Sequence, residues 1–194
     1  MHNIYTTKAI IIKSIPIGEA NKLYFLLTND LGFIKATAQG VRLAKSKLKS
    51  SLQDFYFANI SLVRGKEIWR ITSVQNIRQI KLIGSLDKVS VIKNIFALLL
   101  RLIHGEEKNE NLFEYIESFY NFIFDNPLDE EELKDLETLI VLRILYNLGY
   151  FKKVEKFISY CDSSNISPLL LKDFNNIRKQ AILEINLSLK ETHL

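Results

Sequence analysis

Apolar and polar positions alternate through the first 80 residues and then change period. Tyr5 to Ile15, Leu23 to Thr28, Phe33 to Gln39, Phe55 to Arg64 and Ile68 to Ile80 are rich in Ile, Val, Thr and aromatic residues, and several alternate, which predicts five β-strands. Turn signals at Pro16-Ile17-Gly18-Glu19, Asn29-Asp30-Leu31-Gly32 and Arg64-Gly65-Lys66-Glu67 are short enough to join antiparallel neighbours. The remaining connection, Gly40 to Ser51 (GVRLAKSKLKSS), is long and basic. Five short strands with one long connection suit a small closed barrel, because closure removes unpaired edges. An OB-type barrel is the leading reading; an SH3-like barrel has a similar strand count, and periodicity does not separate the two.

Beyond Ser85 the spacing is helical. Leu86 to His104 places Val89, Ile92, Ile95, Phe96, Leu99 and Ile103 three and four apart, with Ser85 as N-cap and Gly105 as stop. Asn111 to Phe124 carries a similar stripe. A third helix opens at Asp129, with Glu130 to Glu132 complementing its dipole, and ends at Gly149. Ser167-Pro168 opens a last helix reaching about Leu189. The fold class is therefore α+β: an N-terminal five-stranded OB-type β-barrel, residues 1–80, followed by an all-helical domain, residues 81–194.

Charge sharpens this division. Residues 1–80 hold 12 Lys+Arg against 4 Asp+Glu, whereas residues 81–194 hold 14 against 18. An asymmetry of this kind points to a polyanion partner for the barrel. A Lys-rich composition alone would not confine the excess to one half. The single cysteine, Cys161, excludes an intramolecular disulfide and a multi-thiolate zinc site, and His2, His104 and His193 have no ligand spacing. No run is apolar for long enough to span a bilayer, so the expected location is the cytoplasm, with no membrane partner.

Catalytic motifs are missing: there is no phosphate loop, no metal-binding histidine pair and no nucleophile elbow. The run Asp129-Glu130-Glu131-Glu132 reads as helix-start electrostatics in preference to a magnesium site, and Cys161 as a buried thiol in preference to a nucleophile. No enzyme activity, cofactor or metal is expected. What stands out is Leu31 to Gln53, which has no acidic residue and holds Lys35, Arg42, Lys45, Lys47 and Lys49. An extended or loosely coiled loop there would present several charges to one phosphate backbone, with Ser46 adding a neutral hydrogen bond. Lys13, Lys22, Arg64, Lys66 and Arg70 complete the candidate DNA-binding set. Tyr24, Phe33, Tyr56 and Trp69 are candidates for stacking on unpaired bases, against the alternative that each is core.

The run Pro16-Ile17-Gly18-Glu19-Ala20-Asn21-Lys22, with Leu26-Leu27-Thr28, Gly32, Ala38-Gln39-Gly40-Val41-Arg42, Ser46-Lys47-Leu48 and Leu52-Gln53-Asp54-Phe55, resembles the N-terminal domain of the bacterial recombination mediator RecO. A thinner resemblance covers Leu142 to Tyr150 followed by Cys161. The resemblance implies an OB-fold and a helical domain, binding of single- and double-stranded DNA, annealing of complementary strands, and partnership with RecR, single-strand-binding protein and the RecA loading step at the nucleoid. It also implies that the helical domain receives the acidic, apolar tail of single-strand-binding protein. Arg101 and Arg143, each set in an apolar helical stretch, are the candidate receptors, against the alternative that each simply reaches solvent. The chain keeps at most one cysteine, Cys161, of the four-cysteine zinc motif that many but not all members of the family carry, and is short for the family. The rival readings are an RNA-binding barrel and a protein-only adaptor acting through its helices.

Overall fold

The computed structural model describes residues 3–78, 86–151 and 155–191. The chain divides into two compact units, residues 1–83 with 102–110, and residues 84–101 with 111–194. The expected domain boundary at Ile80 and the expected N-cap Ser85 lie outside the described residues, as do His2 and His193.

The first unit is built on five strands: β1 (Ile4–Ile17), β2 (Asn21–Thr28), β3 (Gly32–Ala38), β4 (Phe57–Arg64) and β5 (Trp69–Arg78). β1 serves two neighbours. Its first half runs antiparallel to β4, from Ile4↔Val63 to Ile10↔Phe57, and its second half to β2, from Ala9↔Thr28 to Ile17↔Asn21. β3 and β5 meet in parallel at Ala36↔Trp69 and Thr37↔Arg70, which closes the ring in the order β1-β2-β3-β5-β4. This is the expected OB-type barrel, closed by the parallel contact of β3 with β5. Ala9, Ile11, Tyr24, Leu26, Ile34, Ala36, Ile60, Leu62, Trp69 and Ile71 fill the interior, and Val41 and Leu52 from the long β3–β4 connection pack onto it. Gly32 is obligatory at the β2–β3 turn: its φ is +68°, and a Cβ there would collide with the Glu107 carbonyl.

One irregularity decides where charges point. Between Ile11 and Lys13 the pairing with β2 slips by one residue, leaving Ile12 as the extra member of a bulge. Ala9 and Ile11 face the interior, yet Lys13, two residues further on, pairs with Phe25, while Ser14 pairs with the inward Tyr24. Without the bulge Lys13 would keep the parity of Ile11 and aim its ammonium into the core.

The second unit contains α1 (Leu86–Leu102, all but its last residue), α2 (Glu110–Asp125, all but its first), α3 (Glu130–Asn147), α4 (Glu155–Cys161), α5 (Pro168–Asn175) and α6 (Arg178–Glu191). α3 is the central element; α4, α5 and α6 pack on it. Its start is a capping box, in which Asp129 Oδ1 accepts from the Glu132 amide at 2.8 Å and Glu132 Oε2 accepts from the Asp129 amide at 2.9 Å. The single last helix expected from Ser167 to Leu189 is in fact two, and α4 was not anticipated. The break at Asn176-Ile177 sits over Asp135, a buried carboxylate of α3 that accepts from Asn175 Nδ2 at 2.8 Å and from Arg178 Nη1 at 2.9 Å. Residues on both sides of the break are thus held by one carboxylate from another helix, a constraint that local propensity does not encode.

Candidate nucleic-acid interface

The barrel's outer surface is set by strand register. Lys13 of β1 pairs with Phe25 of β2, which pairs with Lys35 of β3, so two cations flank one aromatic ring across three neighbouring strands. Lys35 Nζ lies 5.6 Å from the Phe25 ring centroid, within cation–π range. Thr37, two residues beyond Lys35, pairs with the exposed Arg70, and its hydroxyl donates to the Trp69 carbonyl at 3.3 Å. Lys13, Lys35 and Arg70 therefore share the outer face with Phe25.

Lys22 is placed differently. It has the inward parity of Tyr24 and sits at the barrel mouth, where Nζ donates to Ser14 Oγ at 3.3 Å. The long connection covers this mouth. It is neither extended nor loosely coiled, as a sequence of alternating lysines suggests, but a chain of tight turns with amide donors from Leu43 to Gly40, Ser46 to Leu43, Lys49 to Ser46 and Ser51 to Leu48. Its base is tied to the β1–β2 turn: the Gly40 amide donates to Asn21 Oδ1 at 2.9 Å, the Arg42 amide to the Ala20 carbonyl at 2.9 Å, and Arg42 Nη1 to the Gly18 carbonyl. At its far end Gln53 Nε2 donates to the Lys49 carbonyl, and Phe55, with φ 73°, donates its amide to the Ile11 carbonyl beside the bulge. Arg42, Lys45, Lys47 and Lys49 are exposed on this framework, with Ser46 half-buried.

The hairpin cations part company. Lys66 is exposed, whereas Arg64 forms an ion pair with Glu106 and lies 4.7 Å over the Trp69 ring. Trp69 Nε1 also donates to Glu106, at 3.3 Å. Arg64 is thus engaged within the unit, and a phosphate would have to displace a carboxylate to reach it. Of the aromatic candidates for stacking, Tyr24, Phe33 and Trp69 are buried and Tyr56 is packed against the core. The half-exposed ring on the outer face is Phe25, which sequence reasoning passed over. Alternation carried the signal: with Tyr24 and Leu26 inside, Phe25 must face out.

In the helical unit Arg101 is exposed on α1, but Arg143 is a correction to the expectation of a partner-facing cation. It is fully buried. Nε donates to the Tyr160 carbonyl at 2.7 Å, Nη1 to Ser164 at 3.1 Å and Nη2 to Asn165 at 3.0 Å. The guanidinium satisfies carbonyls in the last turn of α4 and the segment after it, where the helix dipole is negative. It holds the fold and is out of a partner's reach.

The acidic run at the start of α3 is likewise occupied by the fold: beyond the capping box, Glu130 and Glu131 pair with Lys134, and Glu131 also with Arg178. Those hydrogen bonds hold the Glu131 carboxyl down at about 2. Among the described residues no group of His, Cys, Asp and Glu side chains is arranged to hold a metal ion, and no helix is long and apolar enough to cross a membrane. Cys161 is buried, and burial pushes its thiol up to about 12 despite the opposing Arg143 charge. The folded protein is expected to resist iodoacetamide at pH 8 and to be alkylated in guanidinium, read by mass spectrometry; rapid native labelling would contradict the burial.

Comparison with known proteins gives a consistent picture. A family model described as "Recombination protein O N terminal" matches residues 1–80. The DNA repair protein RecO of Clostridium novyi is 32% identical over 156 residues, covering 79% of this chain and 59% of that protein. The protein of the same name from Dehalococcoides mccartyi is 34% identical over 113 residues, 58% of this chain and 45% of the relative. That of Caldanaerobacter subterraneus is 26% identical over 189 residues, 90% of this chain and 73% of the relative. The chain spans about half the length of the first two of these curated relatives.

Proposed function

Since the chain belongs to the RecO family, we propose that it is a non-catalytic DNA repair protein that binds single- and double-stranded DNA through its barrel and favours the pairing of complementary strands. The observation that supports this reading best is the row Lys13–Phe25–Lys35 on the outer face, beside a rigidly tied loop that carries Lys45, Lys47 and Lys49. Cations in such an arrangement lower the repulsion between two approaching phosphate backbones, a barrier that needs no nucleotide hydrolysis to cross. Phosphate contacts of this kind carry no sequence information, so binding is indifferent to base order.

The family also suggests partners: RecR, the tail of single-strand-binding protein with Arg101 as its candidate cation, and RecA indirectly, all in the cytoplasm at the nucleoid. A labelled tail peptide titrated against the chain and its Arg101→Glu variant tests the first contact on this list that a residue of the chain can decide.

The reading as a whole is tested by titrating single- and double-stranded oligonucleotides, and an RNA competitor, over a range of salt. A linear fall of log K with log salt is expected, and absence of binding at low salt would overturn it. Phe25→Ala is expected to weaken single-strand binding about tenfold, within the ~1–3 kcal/mol found per stacked base, while leaving the salt slope and duplex binding unchanged. An equal loss on duplex would show that Phe25 acts through barrel stability.

A further inference from the structure

The barrel mouth holds a cleft of about 290 Å³ beneath the long loop, and its lining is chemically one-sided. Lys22 comes from β2, Arg42 from the start of the loop and Lys49 from its end, and among the described residues the lining itself holds no carboxylate. Tyr24 and the Gln53 amide supply neutral donors, with Val41 and Leu52 as apolar wall. We infer that this cleft is a receptor for a phosphate monoester, specifically the terminal phosphate of a DNA strand. The inference rests on the nucleic-acid reading above and adds to it a site that recognises strand ends.

The charge argument comes first. A backbone diester carries one negative charge, whereas a terminal monoester carries about −1.5 to −2 at neutral pH and three strong acceptor oxygens. Three cations contributed by separate segments to the lining of one concavity match the higher charge, while Lys45 and Lys47, outside it, suit the linear backbone. The size agrees: at about 290 Å³ the cleft lies just below the roughly 300–1,000 Å³ range of small-molecule sites, enough for a phosphate and part of its sugar.

The donors are also preorganised. Arg42 is oriented by its bond to the Gly18 carbonyl, which uses one of the five N–H donors of a guanidinium. The Lys49 backbone is held by Gln53 Nε2, and Lys22 Nζ is held by the neutral Ser14 hydroxyl, a partner weaker than an anion. The Tyr24 hydroxyl makes only a long contact of 3.5 Å to the Leu52 carbonyl, leaving it capacity to donate. Burial, and secondarily the Asp54 carboxylate, raise its ionisation far above working pH, so it remains a neutral donor.

The test compares three oligonucleotides of one sequence, with a 5′-phosphate, a 3′-phosphate or hydroxyls at both ends, and titrates inorganic phosphate while following the Tyr24 ring and Gln53 amide signals by NMR. A phosphorylated end is expected to bind about tenfold more tightly than a hydroxyl end, equivalent to 1.4 kcal/mol. The Lys22→Gln/Lys49→Gln variant should abolish that preference. Lys45→Gln/Lys47→Gln removes the same charge outside the cleft, and should weaken all three oligonucleotides by one common factor and keep the preference. Equal binding of all three by the native chain, with normal salt dependence, overturns the inference and leaves the nucleic-acid reading standing. Phosphate shifts confined to the cleft without oligonucleotide binding would keep the phosphate site and sink the reading of strands. Neither response would end both.

Discussion

Arg143→Ala is expected to lower the thermal midpoint of the chain by roughly 10 °C, a larger effect than that of any other single substitution proposed. The side chain is fully buried and donates to the carbonyls of Tyr160, Ser164 and Asn165. Truncation leaves the buried Tyr160 carbonyl unpaired, at about 1–3 kcal/mol, breaks two part-buried bonds to Ser164 and Asn165, and opens a cavity beside Tyr115, whose ring lies 5.7 Å from the guanidinium carbon. A total loss of about 3–5 kcal/mol follows, and a chain of this size loses about 2–4 °C per kcal/mol. Arg143→Lys should recover only part, because an ammonium cannot span three acceptors with a planar fork. Circular dichroism melts check both variants. Because the interaction is buried, added salt should not change the difference. A variant melting with the parent would mean that the segment after α4 finds its hydrogen bonds elsewhere.

The second large effect is on binding. Replacing Lys45, Lys47 and Lys49 together by alanine should weaken DNA binding about equally for every sequence and reduce the salt slope by about 2 to 3, that is 0.7 per phosphate contact on single strands and 0.9 on duplex. Since the counterion contribution scales as inverse salt raised to that slope, affinity at 0.1 M falls by about 10²-fold or more. Arg42 is left in place because it ties the loop base to the Gly18 carbonyl, and its loss would mix unfolding of the loop with loss of charge. Fluorescence anisotropy at several salt concentrations reads the slope directly, and an unchanged slope would remove the loop from the interface.

Much of this was legible in one dimension. The alternation in Leu23 to Thr28 places Tyr24 and Leu26 inside and Phe25 outside, and the Asp129/Glu132 pair marks the start of α3, because these signals depend on neighbours within a turn or a strand. The basic character of the barrel half is likewise a property of composition. The positions of individual charges are another matter. Lys13 reaches the outer face through a bulge that exists only in the pairing of β1 with β2, and the final helical run breaks where Asp135 of α3 receives Asn175 and Arg178. Arg64 is paired because Glu106, distant in sequence, returns to the barrel, and Arg143 is inside because the carbonyls of Tyr160, Ser164 and Asn165 supply acceptors for its guanidinium. The sequence by itself determined the five strands, the first three helices and which half is cationic, since periodicity and charge are local sums. Only the tertiary structure decided which cations face solvent, which line the barrel mouth and which are consumed by the fold, since that depends on acceptors supplied by segments tens of residues away.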